Sequence, residues 1–267
     1  MQRVMFSKML GELSVAEAAD RIAGLELDGV DLTVRPGGHV DPERVESALP
    51  RAVEACEAAG LTVPMITTAI TDADEPTSRA IFETAEACGI SYLKLGYWRY
   101  DGFETIDDGW AAMAADLRSL RELGEEFTVT PAVHTHSGSF LSAIPALIWD
   151  VLKEGSPSDL GIYVDPGHLC IEGGRSGWEQ QLDLVGSHVA MVSVKDFVWR
   201  HREEGWTSEW VGIGEGQVPW AAWADRLERI GFDGPVSLHS EYHELDVDAL
   251  LARTAADREA LTAVGIS

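Results

Sequence analysis

The chain lacks the features that would place it in a membrane, on nucleic acid or in a disulfide-bonded fold. Its three cysteines, Cys56, Cys88 and Cys170, are odd in number and lack metal-type spacing, which favours ordinary thiols in a reducing compartment. Basic residues are scarce, because 20 Lys and Arg stand against 45 Asp and Glu, for a formal net charge of −25. Binding to phosphate-rich partners needs basic surface, so we expect no nucleic-acid partner and no membrane partner.

Long apolar runs are also missing. None approaches the roughly 18 residues that a membrane-spanning helix needs, and the first ten residues, MQRVMFSKML, have no apolar core of the signal-peptide type. Hydrophobic residues still make up 45% of the 267-residue chain, enough for a substantial core. We expect a cytoplasmic protein whose residues 1–267 form one domain.

What the chain does have is a repeated junction between helix-like and strand-like segments. Six times a helix-like stretch ends at or near a glycine before a short apolar run, as in CEAAG-LTVPMI and EACGI-SYLKL. Glycine closes helices in the left-handed conformation, and short Val/Ile/Leu-rich runs are typical of buried parallel strands. With RVMFS and AMVSVKDF the count is eight strands, each followed by a predicted helix. This pattern predicts an α/β fold, a (β/α)8 TIM barrel.

Chemistry-bearing side chains concentrate where these predicted strands end, which is where barrels of this kind place their sites. Residues two apart on a strand share a face, so His134 and His136 point the same way, and so do Ser193 and Lys195. His239 and Glu241, two apart at the end of strand eight, also share a face. The segment Asp-Pro-Gly-His follows strand six. We therefore expect convergence of a set from four neighbouring strands: His134, His136, Asp165, His168, Lys195, His239 and Glu241.

This set is compatible with three interpretations. Imidazole and carboxylate groups could hold a divalent metal such as Mn, Zn, Fe or Co. The same site could instead run metal-free acid–base chemistry, with Lys195 as the fixed positive charge and Glu241 or a histidine as the base. The third interpretation is a polar pocket without catalysis. Lys195 and Asp196 form either a local ion pair or a substrate contact.

Other strand-end residues have two interpretations each. Arg35 and Lys94 follow strands two and four and could bind a phosphate or carboxylate group, or pair with nearby acids. Trp98 and Trp199 could stack on a sugar face or cover the barrel mouth. We expect a long loop over 201–218 that could act as a lid. Its GIGEG segment does not open a helix after a strand, which excludes a nucleotide-binding loop.

The motifs HTHSG, YVDPGHL, VSVKDF, G-x-G-x-VPW and GPVSLHSEY resemble those of the xylose isomerase-like TIM barrel superfamily, in its sugar phosphate isomerase/epimerase group. The resemblance covers nearly the whole chain and implies a divalent metal bound by Glu, Asp, His and Glu. At the corresponding positions this chain has His134, Asp165, Ser193 and His239, so only Asp165 matches outright. The metal ligands implied here are His134 or His136, Asp165, and His239 or Glu241.

The resemblance implies an enzyme of carbohydrate metabolism, a sugar isomerase or epimerase that moves a proton next to the carbonyl of a small sugar, keto-sugar or sugar phosphate. Glu241 or His168 would be the base, and Lys195 or a metal would stabilise the oxyanion. Alternatives are a lyase or dehydratase using the same proton abstraction, a non-catalytic sugar-binding barrel and, disfavoured by the charge, an endonuclease IV-like hydrolase. Relatives of this fold often form homodimers or homotetramers.

Overall fold

A computed structural model describes residues 1–203 and 205–267. Eight parallel strands form a closed barrel in the order β1-β10-β7-β6-β5-β4-β3-β2, which confirms the predicted fold. The barrel strands are β1 (Gln2–Phe6), β2 (Gly29–Val34), β3 (Thr62–Thr68), β4 (Tyr92–Lys94), β5 (Thr130–His134), β6 (Gly161–Val164), β7 (Val189–Val194) and β10 (Pro235–Leu238). Two further strands, β8 (Asp196–Arg202) and β9 (Gly205–Val211), form a separate antiparallel hairpin.

The helices among the described residues surround the barrel. They are α1 (Val15–Ala23), α2 (Val45–Ala58), α3 (Pro76–Ala87), α4 (Ile106–Phe127), α5 (Pro145–Leu152), α6 (Pro166–Val185), α7 (Trp220–Arg229) and α8 (Val247–Ala263). Buried aliphatic side chains between the helices and the outer face of the sheet form the main core. No described helix combines the length and apolar character that crossing a bilayer requires.

The inside of the barrel is packed in two layers of different chemistry. A small apolar cluster fills one layer, including Val4, Met65, Tyr163 and Met191. Above it lies a polar layer, in which Asp31 on β2 accepts hydrogen bonds from the Thr67 hydroxyl on β3 and the Ser237 hydroxyl on β10. This polar layer lies directly below the carboxyl ends of the strands, so hydrogen-bonded side chains support the residues of the site from below.

The prediction of a long loop over 201–218 is wrong for much of that range, because the structure has two strands there. Residues 196–202 and 205–211 pair in register from Asp196 opposite Val211 to Arg202 opposite Gly205, while Glu204 lies outside the described residues. The physical reason is visible in the composition of this segment, because FVWRH and WTSEWV are rich in aromatic and β-branched residues that favour strands. The hairpin follows β7 directly and so lies over the barrel mouth.

Candidate functional site

The structure brings together side chains predicted for the site from the ends of four adjacent barrel strands. His134 ends β5, Asp165 directly follows β6, Lys195 directly follows β7 and His239 directly follows β10. All four residues are buried, with at most 7% of their surface exposed. The closed strand order places these ends around one mouth, as the sequence pattern predicted.

Asp165 is the most deeply buried acid of this group, with an exposed fraction of 0%. Its Oδ1 accepts from the backbone N–H of His168 at 3.0 Å and caps α6. Its Oδ2 accepts from Ser193 Oγ at 2.7 Å and lies 3.7 Å from Lys195 Nζ. Burial opposes the charge on Asp165, but the neighbouring His168 and Lys195 groups hold its pKa well below its usual range.

Lys195 joins Asp165 to a second carboxylate. Its Nζ donates to Glu241 Oε2 at 2.9 Å, and the other oxygen of Glu241 is paired with Lys8, which follows β1. Burial of Glu241 opposes its charge, but Lys195, His239 and Lys8 outweigh that effect and keep its pKa below its usual value. The site therefore contains two buried carboxylates with an ammonium group between them.

His168 combines a fixed ring with one unused nitrogen. Its Nδ1 hydrogen-bonds with Ser137 Oγ at 2.7 Å, whereas its buried Nε2 has no hydrogen-bond partner among the described residues and lies 4.0 Å from Asp165 Oδ2. Burial and the charge of Lys195 hold the pKa of His168 well below its usual value. The imidazole is therefore neutral at neutral pH, and in the tautomer that donates from Nδ1 to Ser137 Oγ its Nε2 can accept a proton.

Trp210, on β9, covers this part of the mouth. Its ring lies 4.6 Å from Lys195 Nζ and 5.2 Å from the His168 ring, in an edge-on arrangement. Trp210 was not among the site residues predicted from the sequence. The signal was the alternation in TSEWV, which places Trp210 on one face of a strand once the segment is recognised as a hairpin.

The other predicted imidazoles are committed to internal partners. His134 Nε2 lies 3.1 Å from Ser193 Oγ and its Nδ1 lies 2.9 Å from the Tyr97 hydroxyl. His239 Nε2 lies 2.9 Å from the hydroxyl of Tyr163. The ring of His136 lies only 3.9 Å from that of His168, centroid to centroid, and burial lowers the pKa of His136 to about 4.

The contacts of the proposed ligands show whether these residues could hold the divalent metal predicted from the sequence. The proposed ligands do approach one another, but their nitrogens bond hydroxyl groups, and the space between the carboxylates holds the Lys195 ammonium. Within residues 1–203 and 205–267, no group of three or more His, Cys, Asp or Glu side chains is arranged to hold an ion. The residues in this arrangement do not fit a divalent metal.

The two cations predicted to bind an anion lie at the same mouth. The Arg35 guanidinium is 5.7 Å from the centre of the Phe6 ring, and Lys94 Nζ is 3.5 Å from the centre of the Tyr97 ring. Neither makes an ion pair within 4.0 Å in the described part of the chain. Pairing with nearby acids, one of the two interpretations from sequence, is therefore not what the structure shows.

Two predicted sugar-stacking residues lie elsewhere. The indole N–H of Trp98 donates to Asp116 on α4 at 2.7 Å, so this ring packs against a helix. Trp199 lies on β8 beside Phe197 and is 39% exposed. Neither ring is in contact with Lys195 or Glu241, and Trp210 takes the covering position.

Asp196 is not the ion partner of Lys195 that the sequence suggested as one interpretation. Its two oxygens accept from the backbone N–H groups of Phe197, Gly214, Gly216 and Val218 and from the Trp220 indole, at 2.8–3.2 Å. The GIGEGQVPW segment is thus wrapped around one buried carboxylate. Asp196 fixes the base of the hairpin and leaves Lys195 free for the mouth.

Comparison with known proteins gives a family and a set of similar folds. The family model described as xylose isomerase-like TIM barrel matches residues 19–264. The uncharacterized protein MJ1311 of Methanocaldococcus jannaschii is 22% identical over 140 residues, which cover 52% of this chain and 44% of that protein. The matched stretch therefore spans less than half the length of that relative.

Three solved structures illustrate the likeness in fold. The D-psicose 3-epimerase of Clostridium cellulolyticum H10 has a TM-score of 0.75 at 13% identity, with 99% of each chain covered. The IolI protein with a bound zinc atom has a TM-score of 0.78 at 14% identity, again covering 99% of each chain. The probable 3-DHS dehydratase AsbF of Bacillus anthracis has a TM-score of 0.74 at 14% identity, covering 98% of this chain and 99% of that one. Because the family model covers most of the sequence, this chain belongs to the xylose isomerase-like TIM barrel family.

Proposed function

We propose that the barrel mouth catalyses proton transfer next to the carbonyl of a small keto-sugar or sugar phosphate, giving isomerisation or epimerisation. The observation that carries this proposal is the buried Lys195 ammonium, 2.9 Å from Glu241 and 3.7 Å from Asp165. Enolisation needs a fixed positive charge where negative charge develops and a base beside it. The mouth supplies both from rigid strand ends.

Lys195 is the group that stabilises developing charge on the substrate oxygen. Its ammonium is 4% exposed, so its electrostatic effect is less screened than that of a surface lysine. Glu241 and Asp165 hold it in place, and Glu241 is the more accessible of the two carboxylates, with 13% of its side chain exposed. A substrate hydroxyl that reaches Glu241 is therefore placed next to the Lys195 ammonium.

His168 is the better candidate for the base. Glu241 is ionised, but each of its two oxygens is already paired with a lysine ammonium, Lys8 on one side and Lys195 on the other. The neutral ring of His168 has an unpartnered Nε2, and the imidazolium formed on accepting a proton is stabilised by Asp165 at 4.0 Å. Trp210 lies edge-on to the His168 ring, with 5.2 Å between the ring centroids, and covers one side of the proton-transfer path.

Substrate positioning is assigned to Arg35. Its half-buried guanidinium projects at the end of β2 without a carboxylate partner in the described residues, and guanidinium groups bind phosphate in a forked geometry. A phosphate held there would orient the sugar carbonyl toward the barrel axis. The fold likeness to the D-psicose and 3-keto-D-glucoside epimerases supports a sugar substrate.

The experiment that tests the proposal is product analysis by NMR. The protein is incubated with D-fructose, D-fructose 6-phosphate and dihydroxyacetone phosphate, and new epimers, aldoses or dehydration products are identified. We expect turnover that falls at least about 100-fold in Lys195→Met and His168→Gln, with Lys153→Met as the matched surface control. Binding of these sugars without any product would favour a sugar-binding barrel, and dehydration products would favour a lyase.

A further inference from the structure

Lys94 differs from the other three lysines in having no carboxylate partner within residues 1–203 and 205–267. The chain contains four lysines, and Lys8, Lys153 and Lys195 each form an ion pair with Asp or Glu. Among the described residues, no such pair within 4.0 Å involves Lys94, although only 2% of its surface is exposed. A buried ammonium without a counter-charge is strongly disfavoured.

The position of Lys94 places its amine beside an aromatic ring at the barrel mouth. It is the last residue of β4, paired with Thr67 of β3 and Ala132 of β5, and its backbone carbonyl accepts a hydrogen bond from the Thr68 hydroxyl. Its Nζ lies 3.5 Å from the centre of the Tyr97 ring. Tyr97 in turn contacts His134 through its hydroxyl, so the amine lies at the same mouth as the proposed base and cation.

The electrostatic surroundings favour the neutral amine. Burial, and then the nearby charge of Arg35, hold the pKa of Lys94 well below its usual value, against the weaker opposing influence of Asp31 and Glu241. A lysine that is desolvated and lies near another cation is a nucleophile at neutral pH, because its nitrogen lone pair is free.

We propose that Lys94 is an imine-forming lysine, whose side-chain amine adds to the carbonyl carbon of a small keto-sugar. This inference rests on the proposed function, because it requires carbonyl sugars in the mouth, and it adds a covalent step before proton abstraction. Such a step provides an electron acceptor made entirely from the chain, in a site whose residues do not fit a metal. Lys195 then stabilises the charge that develops on the substrate oxygen as the carbinolamine forms.

The step is balanced without any further reactant. The lone pair of Nζ forms a C–N bond while the C=O π pair moves to oxygen, giving a carbinolamine. The C–O bond then breaks, both amine protons leave with that oxygen as water, and a C=N bond remains. Protonation of this nitrogen by solvent makes the neighbouring C–H acidic, so that removal of its proton gives an enamine. Reprotonation and hydrolysis by one water regenerate the amine.

Reductive trapping tests the proposal directly. The full-length protein is incubated at pH 7 with dihydroxyacetone and sodium cyanoborohydride, which reduces an imine to a stable amine, and labelled peptides are mapped by mass spectrometry. We expect Lys94 to be labelled at least about tenfold faster than exposed Lys153, since a lysine of ordinary pKa is almost entirely protonated at this pH. Lys94→Arg is expected to lose this label and Lys153→Arg to keep it.

Labelling of Lys94 that is no faster than labelling of Lys153 would overturn the proposal, as would equal rapid labelling of wild type and Lys94→Arg. Lys94→Met is a second variant, and circular dichroism shows whether each variant is folded. Exchange of the sugar C–H with solvent deuterium is measured separately on the wild type. Exchange without a Lys94 adduct would support the proposed proton transfer and reject the imine. A Lys94 adduct without exchange would support the imine and reject the proton transfer.

Discussion

The ammonium of Lys195 donates a 2.9 Å hydrogen bond to Oε2 of Glu241, and this bond joins the ends of β7 and β10 inside the barrel mouth. Asp165, from the end of β6, lies 3.7 Å from the same nitrogen. A charged lysine so placed both neutralises two buried acids and supplies positive charge to a bound substrate. Stability and activity are therefore coupled at this residue.

Replacing Lys195 with methionine is expected to lower the free energy of unfolding by about 3–5 kcal/mol, because buried Asp165 loses its ammonium neighbour and partly buried Glu241 is left with Lys8 alone. Urea denaturation measures this change. The matched control is Lys153→Met, which removes an exposed pair with Asp150 and should change stability by about 1 kcal/mol or less. Equal effects of the two substitutions would show that Lys195 is not the counter-charge of the mouth.

Divalent metals are expected to leave the wild-type protein unchanged in stability. The Lys195 ammonium lies between the two carboxylates, and the His134 and His239 nitrogens bond hydroxyl groups. Thermal unfolding is measured with Mn²⁺, Zn²⁺ and Co²⁺, and after treatment with EDTA. A ligand that binds only the folded state raises stability by mass action, so a saturable rise in Tm with one ion would contradict this prediction.

Acidification is expected to destabilise the protein through its buried histidines. His136 has a folded-state pKa of about 4, below its ordinary value of about 6.5. The unfolded chain therefore binds the proton first, so stability is at its full value above about pH 6.5 and falls as the pH drops toward 4. For His136 alone the loss is about 3 kcal/mol.

The comparison that isolates this effect is wild type against His136→Gln, with urea unfolding measured between pH 7 and pH 4. The glutamine variant should lose less stability than wild type over this range. A steeper loss in the variant, or parallel curves, would show that His136 is not buried in its neutral form.

Asp196→Ala is expected to destabilise the protein by about 3–5 kcal/mol, since it leaves four backbone N–H groups and the Trp220 indole without their acceptor. Gly216→Ala tests the same packing, because an added Cβ would lie 2.2 Å from Asp196 Oδ1 and 2.4 Å from the Phe197 carbonyl. Both are measured by thermal unfolding. Near-neutral results for both would show that this segment is not anchored by Asp196.

Arg35→Ala is expected to raise KM for a phosphorylated keto-sugar about tenfold or more, because one charge-assisted contact is lost, and to leave the KM for an unphosphorylated one nearly unchanged. Steady-state kinetics with D-fructose 6-phosphate and D-fructose give this comparison. Equal changes for both sugars would assign Arg35 to packing on Phe6.

The sequence predicted the barrel well because the strand and helix pattern depends on local chemistry. Gly60, Gly89 and Gly231 have positive φ, as expected for residues that end helices. At two other junctions glycine is required for a different reason, the close approach of a neighbouring strand, which the local sequence pattern does not reveal. Gly29 and Gly161 lie in strands β2 and β6, where a Cβ would collide with Thr62 and Ala190 of the neighbouring strands.

The site was predicted in part. Because the strand ends of a barrel meet at one mouth, the predicted barrel placed His134, Asp165, Lys195 and Glu241 together, and the structure has them close to one another. The hydroxyl partners that occupy the imidazoles could not be predicted, because Tyr97 and Tyr163 are brought to them by barrel closure. The position of Trp210 over the mouth was missed because its segment was predicted to be a loop, whereas it is a strand of the β8–β9 hairpin.

The central claim is that this mouth moves a proton next to a sugar carbonyl. The most direct measurement is deuterium incorporation from D₂O into dihydroxyacetone phosphate and D-fructose 6-phosphate, followed by ¹H NMR with wild type and Lys195→Met. We expect enzyme-dependent loss of the C–H signal next to the carbonyl, at a rate that is at least about 100-fold lower in the variant. Equal exchange with wild type, Lys195→Met and no protein, although both sugars raise the Tm of the wild type, would contradict it.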